Sequence, residues 1–238
     1  MWQGTWRIMK HELRLAWRGY VFTLLFLAYF TIFSTLFLYG HLTGELSSRV
    51  SWNLDFAHLA FVPLMGFLFD PAMFRYRRED TYSRKLAEWQ TMPIGVGQII
   101  AARMLLQLLV LFTDCVLYFG VQYAVIPELR GMLGPAGFVL NLLSWLGYGI
   151  AVGALMIYLE LGFSGRRYFN LCFVIVACFL LAALLLGVSG ASAVLFFLEA
   201  AADRNWMAAA AMLAAAAAAA GGFGALLHHR INRRSFWT

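Results

Sequence analysis

The sequence predicts an all-α membrane protein: six transmembrane helices behind an N-terminal interfacial amphipathic helix, with the N and C termini cytoplasmic. Three observations predict it. Of 238 residues, 62% are hydrophobic and 13% are charged, a balance that leaves a soluble chain of this length unable to cover its surface. Apolar runs of about 20 residues recur along the chain, each about 30 Å long as a helix and so matched to the hydrocarbon core. Most of the 18 Lys and Arg residues fall on one set of alternate connections, and such a bias marks the cytoplasmic side.

Residues 1–19 come first. Trp2, Trp6, Met9, Leu13, Ala16 or Trp17, and Tyr20 share one helical face, with Gln3, Arg7, Lys10, His11, Arg14 and Arg18 on the other. Aromatic side chains opposite cations describe a helix lying flat at the membrane surface. The segment has no small-residue cleavage site, so it is expected to be a structural element rather than a signal peptide.

Residues 20–39 are uncharged and form the first span, followed by a polar loop over 41–53. The second span, 54–74, is weaker because it holds Asp55, His58, Pro63 and Asp70. A long polar loop over 75–103 comes next. The third span, 104–126, is interrupted by Asp114. A turn-rich loop is expected over 127–137, then the fourth span over 138–161 with Glu160 near its end. A basic connection, 162–167, leads to the fifth span, 168–188. Residues 194–202 are apolar but too short to cross, and are expected at or dipping into the interface. The sixth span is 206–227. Fifteen cations fall on one side of this arrangement and three, Arg49, Arg130 and Arg204, on the other. The positive charge is therefore a topology signal and a grip on anionic membrane lipid, and nucleic acid is not an expected partner.

The chain reads as one membrane domain, 1–238, organised around the 75–103 loop. That loop carries Arg75, Arg77, Arg78, Arg84, Lys85 and Arg103 together with Glu79, Asp80 and Glu88. Tyr82, Leu86, Trp89 and Met92 follow one another at helical spacing, which predicts a short amphipathic helix over 80–92. Two acids at its start suit the positive end of a helix dipole, and Pro93 ends it.

Asp114 sits near the middle of the third span, where a carboxylate is costly and is expected to face the bundle interior or a wet cavity. It reads either as a group on a translocation pathway or as a packing acid held through Gln107, Gln122 or Tyr118. Glu160 is expected in an ion pair with Arg166 or Arg167 at the cytoplasmic edge. Asp70, before Pro71, reads as a helix breaker, and His58 as a satisfied polar residue. Gly149 and Gly153 form a GxxxG, and the alanine-rich 208–220 is followed by Gly221 and Gly222; both patterns permit close helix packing. Cys115, Cys172 and Cys178 lie in apolar runs and behave as small hydrophobes, so neither disulfides nor a metal site is expected. The chain has no HExxH, no GxSxG and no GxxxxGK[ST] phosphate loop; it is expected to have no enzymatic activity or cofactor of its own.

In these features the chain resembles an ABC-2 type permease, the membrane subunit of an ATP-binding-cassette exporter. The likeness is architectural over the whole length. It is sharpest at RREDTYSRKLAEWQTMPIGVGQIIAAR, where Glu79 and Asp80, then Trp89-Gln90-Thr91-Met92-Pro93-Ile94 and Ile99-Ile100, follow the family's acid–helix–Pro run. Asp80-Thr81 stands where a Gly-Thr is common. The resemblance implies that the helix over 80–92 couples to a separate cytoplasmic ABC ATPase subunit that binds the ATP and Mg. Its apolar contacts would be Tyr82, Leu86 and Trp89, and its polar contacts Asp80, Arg84, Lys85 and Glu88. It further implies a second permease copy, as homodimer or paralogue heterodimer, and multi-pass residence in a bacterial cytoplasmic membrane. The expected function is export of a hydrophobic or amphipathic compound such as a peptide or drug. A membrane-embedded lipid-modifying enzyme, and a non-transporting sensing or resistance subunit on the same scaffold, are the alternatives.

Overall fold

The structure is a computed structural model that describes residues 2–45, 51–68 and 95–233. The segment 80–92 and its seven candidate contacts, Asp80, Tyr82, Arg84, Lys85, Leu86, Glu88 and Trp89, lie outside the described residues, as does Asp70. Among the described residues there are eight helices and no strand. They are α1 (Trp2–Leu15), α2 (Trp17–Leu42), α3 (Ser51–Leu64), α4 (Val96–Val125), α5 (Pro127–Gly162), α6 (Gly165–Ser189), α7 (Ala193–Ala202) and α8 (Trp206–Arg233). Five of them, α2, α4, α5, α6 and α8, are long and apolar enough to cross a membrane.

The long helix α5 is the centre of the bundle. Its inward residues include Trp145, Leu146, Met156 and Ile157. It packs most extensively on α8, and also on α4, α7 and α3. The approach to α8 is so close that a Cβ on Gly147 would lie 2.8 Å from the carbonyl carbon of Met212. The GxxxG faces a different neighbour, α4: Gly149 makes room for Leu111, and Gly153 for Gln107. By contrast α6 lies on the outside, with only Gly165, Tyr168 and Ala183 buried along its 25 residues. Phe173, Leu181, Leu185 and Val188 on that helix are all exposed, a surface suited to lipid and not to water.

Three boundaries differ from the sequence expectation, each for a local reason. Residues 96–103 were expected to close the polar loop, but they form the first two turns of α4. Gly95 is its N-cap, and the Gln98 side chain reaches back to accept from the Gly95 N–H at 3.2 Å. The stretch 127–137 is helical apart from one break. Pro127 stands in the first turn of α5, where its missing N–H costs nothing. The break is at Gly134, whose φ of 59° and ψ of −179° are accessible essentially only to glycine. Gly134→Ala is therefore expected to destabilise the protein by about 1–3 kcal/mol, measured as a lowered unfolding midpoint in detergent, although a Cβ there would meet no atom within 4 Å.

The third difference is α3, which stops at Leu64 and turns through Met65 and Gly66. Pro63 stands inside it and lacks the N–H that would bond Leu59. The Tyr148 hydroxyl of α5 donates to that Leu59 carbonyl at 2.8 Å, replacing the lost partner. The α3 segment packs mainly on α6 and α5 and also reaches α4. His58 faces Tyr118, and a Cβ on Gly66 would touch Gln107.

The short apolar helix expected over 194–202 is present as α7, packed against α5 through Val194, Leu198 and Ala201. Its N-terminus is held from outside. Ser192 caps it locally, and Asp55 of α3 accepts from the Ser192 hydroxyl at 2.7 Å and from the Val194 N–H at 2.9 Å. An acid inside a predicted span is thus used to satisfy the orphan donors of another helix.

Candidate functional site

Two polar constellations stand out in the bundle, one at the end where α1 lies and one along the seam between α2 and α4. The first centres on Arg103, in the second turn of α4. Its guanidinium forms ion pairs with Glu12 of α1, at 3.2 Å, and with Glu160 of α5, at closer range. The Glu12 and Glu160 side chains are only 7% and 1% exposed. A planar guanidinium can serve two carboxylates at once through separate N–H groups, which a lysine ammonium does less well. This corrects the expectation for Glu160: its partner is Arg103, while Arg166 and Arg167 point outward. One Glu160 oxygen, Oε2, is left without a hydrogen bond.

The same region ties the other elements together. Arg230 near the end of α8 donates to the Gly162 carbonyl at 2.7 Å and stacks on the Phe163 ring at 4.0 Å. Helix α1, the start of α4 and the ends of α5 and α8 therefore lie at one end of the bundle. Glu12 was not singled out from sequence. The signal was available, because Thr5, Met9 and Glu12 follow at spacings of four and three, and all three are buried. The stripe that α1 turns toward the bundle is this one. The Trp2, Trp6 and Trp17 face instead points outward.

The second constellation lines the inner face of α4. Gln107, Asp114, Tyr118 and Gln122 are all buried there and return at helical spacing. The buried side of α2 carries the small polar residues Thr23, Thr31, Ser34 and Thr35 beside Leu27 and Leu38, while its outer side carries Phe22, Leu25, Ile32 and Leu36. The α2 hydroxyls are largely satisfied within their own helix: Thr23 donates to Gly19, Thr31 to Leu27 and Ser34 to Thr31. Gln122 donates to Ser34 at 2.9 Å and Gln107 to the Gly149 carbonyl at 3.4 Å.

Asp114 is fully buried, and neither of its carboxylate oxygens has a well-formed hydrogen bond. None of the three partners expected from sequence holds it. Gln107 and Gln122 are engaged elsewhere, and the Tyr118 hydroxyl faces His58 at 3.4 Å. The polar group that approaches the acid is the Tyr20 hydroxyl at the start of α2. An acid so placed is costly to keep ionised without a counter-charge, so the packing role assigned through those partners lacks its bonds.

His58 is as quiet as expected. Its Nδ1 lies 2.9 Å from the Leu54 carbonyl, which can only accept, and its ring sits among Tyr118, Phe119 and Trp145. Beyond it is a cavity of about 10 Å³ lined by His58, Gln122, Asn141 and apolar side chains. That is room for a single water. The Asn141 Oδ1 has no hydrogen-bond partner among the described residues. Among the described residues no group of His, Cys, Asp and Glu is placed to hold a metal ion. No protein-family model, curated protein or solved structure matches the chain.

Proposed function

We propose that the chain is the permease subunit of an ATP-driven exporter of the ABC-2 type. It would move a hydrophobic or amphipathic compound across the cytoplasmic membrane in a complex with a separate ABC ATPase. The observation that carries this reading is the assembly around Arg103. The helix that emerges from the 75–94 loop is ionically bound, within two turns of that loop, to the interfacial helix and to the central helix α5. A push on the loop would thus reach the bundle through a rigid joint. The cation bias, and the placing of α1 and the end of α8 at the same end of the bundle, support an even number of spans with both termini cytoplasmic, six if α3 belongs to one. Asp114, in the α2–α4 seam, is the residue assigned to the translocation pathway, and a second permease copy would complete that pathway.

The segment 80–92 is the proposed grip for the ATPase, with Trp89 as anchor because buried aromatics dominate such interfaces. Trp89→Ala combined with Leu86→Ala is expected to weaken co-purification of the partner ATPase by at least about tenfold, since losing two anchors costs 2 kcal/mol or more. Binding and ATP turnover unchanged in this variant would reject the assignment.

A further inference from the structure

The surface of α1 carries an inference independent of transport. Glu12 is the single acid among the first 40 residues, and the structure withdraws it into the bundle, where Arg103 holds it. What remains exposed is uniformly basic: Arg7, Lys10, His11 and Arg14, with Arg18 one turn on in α2. These positions share one helical stripe. Beside that stripe Trp2, Trp6 and Trp17 are 70%, 53% and 59% exposed, too much apolar area to leave in water. Cation and ring are interleaved, with the Lys10 ammonium 5.3 Å from the Trp6 ring and the Arg18 guanidinium 5.7 Å from that of Trp17.

We propose that this face of α1 is a binding site for anionic phospholipid, its cations pairing with headgroup phosphates while the tryptophans sit at the acyl boundary. Complementarity selects the occupant. A zwitterionic headgroup satisfies the tryptophans but offers the four exposed cations, Arg7, Lys10, Arg14 and Arg18, no net charge. A free anion satisfies the cations but leaves the rings wet. An anionic lipid surface satisfies both, and each cation near it contributes on the order of fivefold in affinity. The Glu12–Arg103 pair has a second role here, because an exposed carboxylate in that stripe would repel the same headgroups.

The test uses the full chain in neutral detergent, titrated with dioleoyl phosphatidylglycerol or dioleoyl phosphatidylcholine, with bound lipid counted by native mass spectrometry. Wild type is expected to hold phosphatidylglycerol in preference to phosphatidylcholine. The quadruple variant Arg7→Gln, Lys10→Gln, Arg14→Gln, Arg18→Gln should lose about tenfold or more for phosphatidylglycerol with phosphatidylcholine binding unchanged. Trp2→Ala with Trp6→Ala should weaken both lipids alike. Arg130→Gln with Arg204→Gln, cations at the opposite end of the bundle, should behave as wild type. The double variant Arg7→Gln, Arg14→Gln, expected to show a smaller loss in the same direction, serves if the quadruple one does not fold. The proposal is overturned if the α1 variants keep wild-type preference, if the Arg130/Arg204 variant loses as much, or if inorganic phosphate displaces the lipid completely.

Discussion

Arg103→Met is expected to lower the stability of the protein by about 3–5 kcal/mol, the usual cost of removing one member of a buried ion network. The reason is what it leaves behind. Glu12 and Glu160 have side chains 7% and 1% exposed, and both face the vacated guanidinium position. Two carboxylates would then share a low-dielectric site without this cation, and each would have to be hydrated or protonated. Hydrating Glu12 would prise α1 from α4. The expected readout is a large fall in the thermal unfolding midpoint of the detergent-solubilised protein. Adding Glu12→Gln and Glu160→Gln to Arg103→Met should recover most of the loss, because neutral amides tolerate burial where charges do not. Arg103→Lys should fall between, since one ammonium cannot present the planar fork that serves both acids. An unchanged midpoint in Arg103→Met would show that the joint between α1, α4 and α5 does not depend on charge.

Gly147→Ala is expected to destabilise by about 1–3 kcal/mol, as overpacking of a tight contact does. The added Cβ would meet backbone: 2.8 Å to the Met212 carbonyl carbon, 2.9 Å to its oxygen and 3.0 Å to the Leu213 nitrogen. Backbone cannot swing aside, so α5 and α8 would have to separate along their length. Two companions set the scale. Gly149→Ala meets the Leu111 methyls at 2.9 and 3.0 Å, the far end of a side chain that can rotate, and should cost less. Gly120→Ala meets nothing within 4 Å and should be neutral or slightly stabilising, because alanine restricts the unfolded chain. Thermal midpoints of the three variants in one detergent test the order. A Gly147→Ala midpoint equal to that of Gly120→Ala would mean that the α5–α8 contact yields freely.

Both expectations concern residues whose importance was unevenly visible beforehand. The GxxxG of Gly149 and Gly153 was legible as a packing motif, but its partner was not: it receives Leu111 and Gln107 of α4. The close approach to the α8 backbone is at Gly147, outside that GxxxG. Arg103 reads from sequence as the last cation of a polar loop over 75–103, because the uncharged run of the third span starts only after it. The helix in fact begins at Val96, since Gln98 closes back on Gly95 and lets the third span start early. Glu160 had two cations close in sequence, Arg166 and Arg167, yet these follow the break at 163–164 and turn outward. A helix that ends between two charges separates them, and proximity along the chain then says little about pairing. For Asp114 the cost of a mid-span carboxylate was evident, whereas its neighbour Tyr20 was not, being 94 positions away.

The sequence by itself determined that this is a helical membrane protein, where its long apolar helices run, that α1 is amphipathic and that 194–202 forms a short apolar helix. Those properties follow from periodicity and from the length of uncharged runs, which are local quantities. Only the tertiary structure decided which polar groups meet. Asp55 holds the start of α7, Tyr148 serves the carbonyl that Pro63 leaves unpaired, and Glu12 turns inward to Arg103. In an apolar interior a buried polar group must find its partner wherever another helix supplies one. That partner is fixed by how helices cross, and crossing is set by the contacts of glycine and side-chain volume between segments far apart in the chain.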